Sequence, residues 1–588
     1  MISTQKYIKK IYSSKDMNFK EEIIGLLAKE TSLREEELAN LLAVPPDPKL
    51  GDYAFPCFKL GKNPKEEAEK LKGKIKLPEF AAKVEVAGPY LNFFIKPTSM
   101  AKETLSSIYR QAKKYGQPTK YKGKRIVIEY CGPNTNKPLH LGHLRNMALG
   151  NSVCRILSFV GNEVHPVNII NDRGIHICQS MLAYQKWGHA KEPDKKGDHF
   201  VGDFYVMFAK HAKESEKQAE ILKNEAQELL LRWERNDKET RTLWKKMNSW
   251  VLTGFAKTYQ RFGVSFEKEY FESEYYMHGK ELVQEGFKKW IFLKDPKNGA
   301  IVAPLQQFKL PDKVLLRGDD TSIYITQDMY LATMRYREFK FQQMMYVVAS
   351  EQRLHFQQLF KILELLGKDY AKEMYHLSYG LVNLPTGRMK SREGTVVDAD
   401  DIMDEVAEMA RVEITKRHPQ LPEKEVTERA DQIALAAIKF FMLKTDADKD
   451  IVYNPEESLS FEGETGPYLQ YTYVRTCSLL RKAKKEHHLQ PTYPVNFEVF
   501  TVEEELKILR LLATFPETIL KTAEMKKPHL LGTYLITLAQ AFNEFYHKCQ
   551  VLSEDKNQTK ARLLLVDSVR QVIDNGLNLL GIKAPEEM

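Results

Sequence analysis

A strand that runs directly into a helix constrains this fold more than any other sequence feature. The apolar run RIVIE at 125–129 precedes the segment CGPNTNKPLHLGHLRN at 131–146. Apolar and small residues then recur at helical spacing up to Gly161: Leu141, Leu144, Ala148, Val153, Ile156, Leu157 and Val160. Further predicted strands, EVHPVNII, SIYIT, MYVVAS and MYHLSYGLV, alternate with helical stretches. Such alternation predicts an α/β fold with a parallel, doubly wound sheet.

The sequence predicts three domains, because 588 residues are too many for one hydrophobic core. We expect residues 1–117 to form a small α/β domain, with a helix at FKEEIIGLLAKE and a strand at VEVAGPYLNFFI. Residues 118–455 should hold the parallel sheet, with a charged helical insertion at about 190–290. Residues 456–588 keep helical periodicity, which predicts a helix bundle.

Composition excludes few classes of protein. The chain has 88 Lys+Arg and 79 Asp+Glu, and a net charge of +9 permits a nucleic-acid partner without demanding one. The six cysteines form no Cys-x-x-Cys pair, so a zinc ribbon or a disulfide framework is not expected. No apolar run approaches the roughly 20 residues that span a bilayer. The lysine-bearing first residues contain no arginine, unlike a transit peptide. We therefore expect a cytoplasmic protein with no membrane partner.

The segment HLGH at 140–143 carries the chemistry that the sequence shows most clearly. A helix start has free N–H groups and a partial positive charge, which favour phosphate. Histidines three residues apart lie on one side of such a helix, and Gly142 between them leaves room for a flat base. The pattern predicts a nucleoside triphosphate site with the imidazoles on the phosphates. The alternative is that His140 and His143 only cap the helix or face solvent.

HLGH after a first strand resembles the HIGH signature of class I aminoacyl-tRNA synthetases. The longer string EYCGPNTNKPLHLGHLRN resembles the arginyl-tRNA synthetases, and the resemblance extends from GDYAFP near residue 51 to the end of the chain. It implies a Rossmann-like catalytic domain, a small N-terminal tRNA-contacting domain and a C-terminal helical anticodon-binding domain. It also implies catalytic roles for His140 and His143, and ATP contacts from His140, Gly142, His143 and Asn146. A small nucleotidyltransferase shares His-x-Gly-His but is far shorter.

A second phosphate-binding motif is predicted in LPTGRMKSREGTVVDADD at 384–401. It stands where the family carries its KMSKS loop, whose glycines permit closure and whose cations neutralise pyrophosphate. The resemblance implies ATP contacts from Met389, Lys390, Ser391 and Arg392, with Lys390 catalytic. Ser391 replaces the second lysine of KMSKS, and Lys137 lies where many members of the family place a substitute, so we expect Lys137 to be catalytic. The alternative is a basic surface loop.

The predicted amino-acid site follows from the donors of an arginine side chain, which need a planar carboxylate. In SIYITQDMY, Tyr324 and Asp328 resemble the family's residues that hold the guanidinium, at a predicted strand-to-helix turn. The resemblance adds arginine contacts from Glu129, Asn134, His140 and Gln352. The alternatives are that Asp328 caps a helix, that Tyr324 is a core residue and that Asn134 is a turn residue.

The resemblance implies a two-step reaction that joins L-arginine to tRNA(Arg) through arginyl-adenylate, with tRNA needed for the first step. Mg²⁺ would be bound through ATP oxygens, with no protein metal site. The helical tail interleaves tyrosines with cations, as stacking on single-stranded bases uses, and Tyr468, Tyr471 and Arg475 are predicted tRNA contacts. We expect a monomer. The alternative is a non-catalytic tRNA-binding relative, and a glutamine or glutamate specificity would lack the Tyr324/Asp328 pair.

Overall fold

The computed structural model describes residues 18–118, 123–319, 321, 323–385 and 397–588. The N-terminal part contains helices α1 (Phe19–Glu30), α2 (Glu35–Leu41), α3 (Pro64–Lys74) and α4 (Pro97–Gln111), and strands β1 (Tyr53–Pro56), β2 (Ala81–Ala87) and β3 (Tyr90–Ile95). The strands form an antiparallel sheet in the order β1-β3-β2. The prediction of one strand at VEVAGPYLNFFI is wrong, because Gly88 has φ +58° and reverses the chain between β2 and β3.

The predicted parallel sheet is confirmed. Its strands are β4 (Arg125–Glu129), β5 (Glu163–Ile170), β6 (Lys268–Phe271), β10 (Gln343–Ala349) and β11 (Met374–Tyr379). They pair in the order β11-β10-β4-β5-β6, and every pair is parallel. From β4 the chain adds β5 and β6 on one side of that strand, and it later adds β10 and β11 on the opposite side. The switch point therefore lies between β4 and β10. Ligands of such sheets bind beyond the carboxyl ends of the strands at that point.

The helices around β4 and β5 include the predicted insertion. They are α5 (Leu141–Phe159), α6 (Ile175–Trp187), α7 (Gly197–Ala212), α8 (Glu216–Glu234) and α9 (Lys238–Phe262). The predicted range of 190–290 for the insertion was too long, because β6 returns to the sheet at Lys268. Strand β6 has four residues, of which only Tyr270 is buried, so it offers no apolar run that would predict a strand.

A small unit follows β6 and packs on the next helix. It contains α10 (Glu272–Tyr275), α11 (Lys280–Lys288) and the antiparallel strands β7 (Leu293–Lys294), β8 (Ile301–Ala303) and β9 (Lys313–Leu316). Helix α12 (Tyr324–Phe339) comes next. The predicted strand SIYIT is therefore wrong: Ile325 and Met329 are buried one turn apart, which is helical spacing. Helix α13 (Arg353–Leu365) joins β10 to β11.

The C-terminal part is the predicted helix bundle. Its helices are α14 (Ala399–Arg417), α15 (Glu423–Leu443), α16 (Pro455–Leu459), α17 (Gly466–His487), α18 (Glu503–Met525), α19 (His529–Lys548) and α20 (Lys556–Leu579). Two short parallel strands, β12 (Val382–Asn383) and β13 (Ile451–Val452), tie its start to the end of the large sheet. Within the described ranges, no helix combines the length and the apolar character needed to cross a bilayer.

Candidate active site

His140 and His143 lie together at the start of α5, next to the switch point of the sheet. His140 is the N-cap residue, and its Nδ1 accepts a hydrogen bond from the N–H of Gly142 at 3.1 Å. Nδ1 of His143 accepts from the N–H of His140 at 3.1 Å. The two rings stand 4.0 Å apart between centroids. The alternative that the histidines cap the helix is correct for Nδ1 of each ring, and it leaves Nε2 of each ring unassigned.

Burial keeps both rings neutral, and the caps determine which nitrogen carries the proton. Burial, with the nearby charge of Lys137, lowers the pKa of His140 to about 3. Burial and the charges of His140 and Lys137 also hold the pKa of His143 well below its usual value. A neutral imidazole whose Nδ1 accepts carries its proton on Nε2. Each histidine therefore keeps one Nε2–H donor that the caps do not use.

Gly142 and Lys137 lie within this cluster, and Asn146 does not. A Cβ at Gly142 would come within 3.0 Å of Cε1 of His140, so a side chain there would press on the ring. Lys137 is half-buried, and burial lowers its pKa. Asn146 is buried, and its Oδ1 accepts from the N–H of Cys131 at 2.6 Å. Its Nδ2 donates to the Val347 carbonyl at 2.8 Å and to the Tyr379 hydroxyl at 3.0 Å.

These bonds place Asn146 in a structural role. They join the ends of β4, β10 and β11 and occupy both amide hydrogens, while the predicted ATP contact of this side chain stays a prediction.

The second motif is anchored directly to the histidines. Ala399 N–H donates to the Leu139 carbonyl at 2.9 Å, and Leu141 N–H donates to the Val397 carbonyl at 3.2 Å. His140 and Asp398 thus form an antiparallel bridge. Residues 386–396 lie outside the described residues, and with them the predicted ATP contacts Met389, Lys390, Ser391 and Arg392.

A cluster of charged residues joins this anchor to the insertion. Lys196 Nζ lies 2.6 Å from Asp400 Oδ2 and 2.8 Å from Asp198 Oδ2. His199 contacts Asp400 at 3.0 Å through Nε2 and Asp398 at 3.4 Å through Nδ1. Burial opposes ionisation of Asp400, but hydrogen bonds from His199 and Lys196 hold its pKa at about 2. The start of α14 is therefore fixed to the start of α7.

Arg145, directly after the histidines, has a structural role. It is buried and donates four hydrogen bonds to backbone carbonyls. The acceptors are Gly380 at 2.6 Å, Leu381 at 3.2 Å, Ala447 at 3.2 Å and Lys449 at 2.7 Å. This single side chain holds the end of β11 and the segment before β13 against α5.

The predicted guanidinium site lies on α12 rather than at the end of a strand. Tyr324 is the first residue of α12 and is 77% exposed, so it is not a core residue. Asp328 lies one turn later and is not a cap, since Ile323 holds the N-cap position. His355 Nε2 lies 2.7 Å from Asp328 Oδ2, a partner that the sequence did not reveal. Gln352 is exposed in the turn after β10, just before the helix of His355.

Glu272 is a further carboxylate of this region, and no sequence signal points to it. It is buried at the start of α10, directly after β6. Burial raises its pKa to about 7; the charge of Arg173 opposes this rise, while Asp172 and Asp328 add to it. Arg173 Nη1 lies 3.7 Å from Glu272 and its Nη2 lies 2.7 Å from Glu234. Two carboxylates, Asp328 and Glu272, thus face one region.

Glu129 and Asn134 lie on the β4 side of the same region. Glu129 is buried and uses Oε2 in an ion pair with Arg335 of α12. Burial raises its pKa, Arg335 lowers it, and the charge of Asp328 raises it further. Asn134 is exposed and pairs through its backbone with Asn171, which follows β5. The structure therefore brings Glu129 and Asp328 close together and leaves the Asn134 side chain open.

The three predicted tRNA contacts form one surface network on α17 and α19. Arg475 donates to the Tyr471 hydroxyl at 2.9 Å and to Asn543 Oδ1 at 2.7 Å. Asn543 in turn donates to the Tyr468 hydroxyl at 2.9 Å. The Arg475 guanidinium also lies 4.8 Å from the ring centroids of both Tyr471 and Tyr546. A cation between two partly exposed rings suits stacking on a base.

Comparison with known families matches most of the chain. Residues 17–95 match the arginyl tRNA synthetase N terminal domain, and residues 104–454 match the catalytic domain of tRNA synthetases class I (R). Residues 469–588 match the DALR anticodon binding domain.

Individual relatives point to the same family as the family models. An arginine–tRNA ligase of Treponema denticola is 44% identical, and the match covers 93% of this chain and 94% of that protein. One of Bacteroides fragilis is 42% identical over 91% of this chain and 92% of its own length. The Thermus thermophilus arginyl-tRNA synthetase structure has a TM-score of 0.82 at 28% identity, covering 97% and 99%. The chain belongs to the arginyl-tRNA synthetases of class I.

Proposed function

We propose that the histidine pair binds ATP and that the carboxylates of α10 and α12 bind arginine in an arginine–tRNA ligase reaction. The chain joins L-arginine to tRNA in an ATP-dependent reaction through arginyl-adenylate, with release of AMP and pyrophosphate. The arginine carboxylate attacks the α-phosphorus of ATP, and the terminal ribose hydroxyl of the tRNA then takes the arginyl group. No enzyme nucleophile is required, so the residues act by positioning and by stabilising charge.

On the ATP side, His140 and His143 are proposed to donate their Nε2–H groups to phosphate oxygens. Neutral imidazoles suit this role because their donors are already oriented by the two caps. The macrodipole of α5 adds partial positive charge at the same end. Lys137, whose charge reaches both rings, is proposed to supply the cation that the Ser391 substitution removes from the second motif. Lys390, Met389 and Arg392 remain proposed contacts from that motif.

On the arginine side, the single observation that carries the proposal is the pair of carboxylates Asp328 and Glu272. A guanidinium offers five donors in a planar fork and needs more than one acceptor to be satisfied away from water. His355 orients Asp328, and Arg173 keeps Glu272 closer to its ionised form. Tyr324, Gln352, Glu129, Asn134 and His140 are proposed to complete the contacts to the substrate.

Mg²⁺ is proposed to arrive with the triphosphate. Within the described residues, Asp198, His199 and Asp400 are the group whose ligand atoms stand close enough to share a metal ion. Lys196 Nζ already lies between the two aspartates, so this cluster does not fit a second cation. ATP oxygens are the ligands that Mg²⁺ more often uses in such sites.

The outer domains are proposed to hold the tRNA. We assign residues 1–117 to a tRNA-contacting domain, 118–455 to the catalytic domain and 456–588 to the anticodon-binding domain. Tyr468, Tyr471 and Arg475 are the proposed anticodon-side contacts. We also propose that the protein is a cytoplasmic monomer.

The decisive experiment is ATP–pyrophosphate exchange with arginine, with and without tRNA. Exchange that depends on arginine and appears only when tRNA is present supports the assignment and the tRNA requirement together. Asp328→Asn should raise KM for arginine strongly, and Asp369→Asn, in the turn before β11, is the matched control. Absence of exchange in a folded protein that still binds tRNA would instead establish the non-catalytic relative.

A further inference from the structure

Trp290 is a large apolar side chain that folding does not explain. It follows α11, and at 85% it is the most exposed large hydrophobic side chain in the described part of the chain. Across the same ranges, its indole ring has no aromatic, cation–π or hydrogen-bonding partner. A buried tryptophan stabilises a fold through its large area, but an exposed one contributes little.

The backbone at Trp290 favours a different residue. Trp290 N–H donates to the Phe287 carbonyl at 3.0 Å, and Ile291 N–H donates to the Gly286 carbonyl at 2.9 Å. These two bonds form a Schellman motif, and Trp290 has φ +57° at the left-handed position after the helix cap. Glycine is the usual residue there because a Cβ is unfavourable in that conformation. Both the exposure and the conformation of Trp290 therefore oppose a structural role.

Exposed lysines flank this aromatic side chain in the sequence. Lys288 and Lys289 precede it, Lys294 follows at the end of β7, and Lys297 lies in the turn after that strand. Lys289 pairs with Glu285 at 2.6 Å. Lys288, Lys294 and Lys297 have no ion-pair partner in the ranges that the structure covers, which leaves their charges available.

The unit that carries Trp290 is fixed to the helix of the arginine pocket. The His278 ring stacks on Tyr330 of α12 with centroids 4.8 Å apart. Thr326, near the start of α12, donates through Oγ1 to the Leu315 carbonyl of β9 at 2.5 Å. A Cβ at Gly279, where α11 begins, would lie 2.4 Å from the Thr326 carbonyl oxygen. A ligand held at Trp290 is therefore held in a fixed relation to the proposed arginine site.

We propose that Trp290, Lys288, Lys294 and Lys297 form a binding surface for single-stranded nucleotides of the tRNA substrate. The indole stacks on a base and the lysines contact neighbouring phosphates. Lysine is depleted from protein–protein interfaces, whereas lysines around an exposed ring are typical of single-strand binding. The proposal rests on the ligase function, because that function supplies a tRNA whose acceptor end must approach the pocket on α12.

The test compares Trp290→Gly with Trp290→Phe and with Val314→Ala, an exposed apolar control on β9 of the same unit. Aminoacylation kinetics, melting temperature and the salt dependence of tRNA binding are measured for each full-length protein. Trp290→Gly should raise KM for tRNA about tenfold, because one base stack is lost. Its melting temperature should stay the same or rise, because glycine suits the left-handed position. Trp290→Phe and Val314→Ala should keep KM for tRNA within about twofold.

The lysines give an independent readout. The double variant Lys288→Gln/Lys294→Gln should reduce the slope of log K against log salt by about 0.7 for each phosphate that a substituted lysine no longer neutralises. KM for arginine should not change in any of these variants. A Trp290→Gly protein with unchanged KM for tRNA would overturn the proposal, and so would a lowered melting temperature, which would assign Trp290 to the fold. A wild-type protein that charges no tRNA would instead overturn the ligase assignment.

Discussion

His140→Asn should separate the structural role of the first signature histidine from its catalytic role. In the wild-type protein, Nδ1 of His140 caps α5 by accepting from Gly142, and Nε2–H is the proposed donor to the phosphates. The Oδ1 of asparagine can accept the same bond, since asparagine is among the best N-cap residues. It has no group that reaches the position of Nε2. The substitution therefore keeps the cap and removes one donor.

The expected magnitudes differ clearly for the two roles. Because the cap is preserved, the free energy of unfolding should change by less than about 1 kcal/mol. Loss of one preorganised donor to developing negative charge typically costs about 3 kcal/mol in the transition state, or roughly 10²–10³ in rate. The rate of ATP–pyrophosphate exchange at saturating ATP should fall by that factor.

The assay pairs urea denaturation with exchange kinetics in the presence of tRNA. His140→Ala serves as the comparison, because it loses the donor and the cap and should cost about 1 kcal/mol of stability as well. An Asn variant that exchanges within threefold of the wild-type rate would refute the donor role. An Asn variant as unstable as the Ala variant would refute the capping geometry.

Neighbouring residues give three further predictions. Arginine must meet an ionised Glu272, whose pKa burial raises to about 7, so KM for arginine should rise about tenfold per pH unit below 7. Glu272→Gln should abolish that dependence. The raised pKa of Glu272 lowers the stability of the folded protein as pH rises from 4.5 through 7. The same substitution should therefore stabilise the free protein at pH 8 by about 3 kcal/mol, measured by thermal or urea unfolding. Arg145→Met leaves four carbonyls without their donor and should lower the free energy of unfolding by at least about 3 kcal/mol in urea. Asp400→Asn should raise KM for ATP in the exchange assay, because Lys196 and His199 lose the partner that fixes the end of the second motif. The control Asp401→Asn, at an exposed neighbouring residue, should leave KM for ATP unchanged.

The sequence predicted the parts of the site that lie on one continuous segment. The strand–loop–helix from β4 to α5 has local signals for each step: an apolar run, turn residues, and small and apolar residues at helical spacing. The histidine pair lies inside that segment, so its position at the helix start followed directly. The helix bundle was predicted for the same reason.

The errors have two causes: a sequence window that was too short, and contacts between residues far apart in the chain. SIYIT alternates like a strand, yet Ile325 and Met329 are buried on one face of a helix. A window extended to Ala332, also buried, would have shown the helical period. Glu272 has no local signal at all. It joins the proposed arginine site only because the end of β6 brings it within the electrostatic influence of Asp328, which lies on an element much later in the chain.

The insertion contacts the proposed active site at three separate places. A Cβ at Gly202 of α7 would lie 2.8 Å from Cδ of Pro138, just before the histidines. Trp244 of α9 donates through Nε1 to the Asp172 carbonyl at 2.6 Å, and Asp172 accepts from Ser273 beside Glu272. Lys196 holds the start of α14 at Asp400. The insertion cannot shift without breaking a contact to the ATP side, the arginine side or the end of the second motif. These contacts couple the position of the insertion to both proposed substrate sites in the free protein.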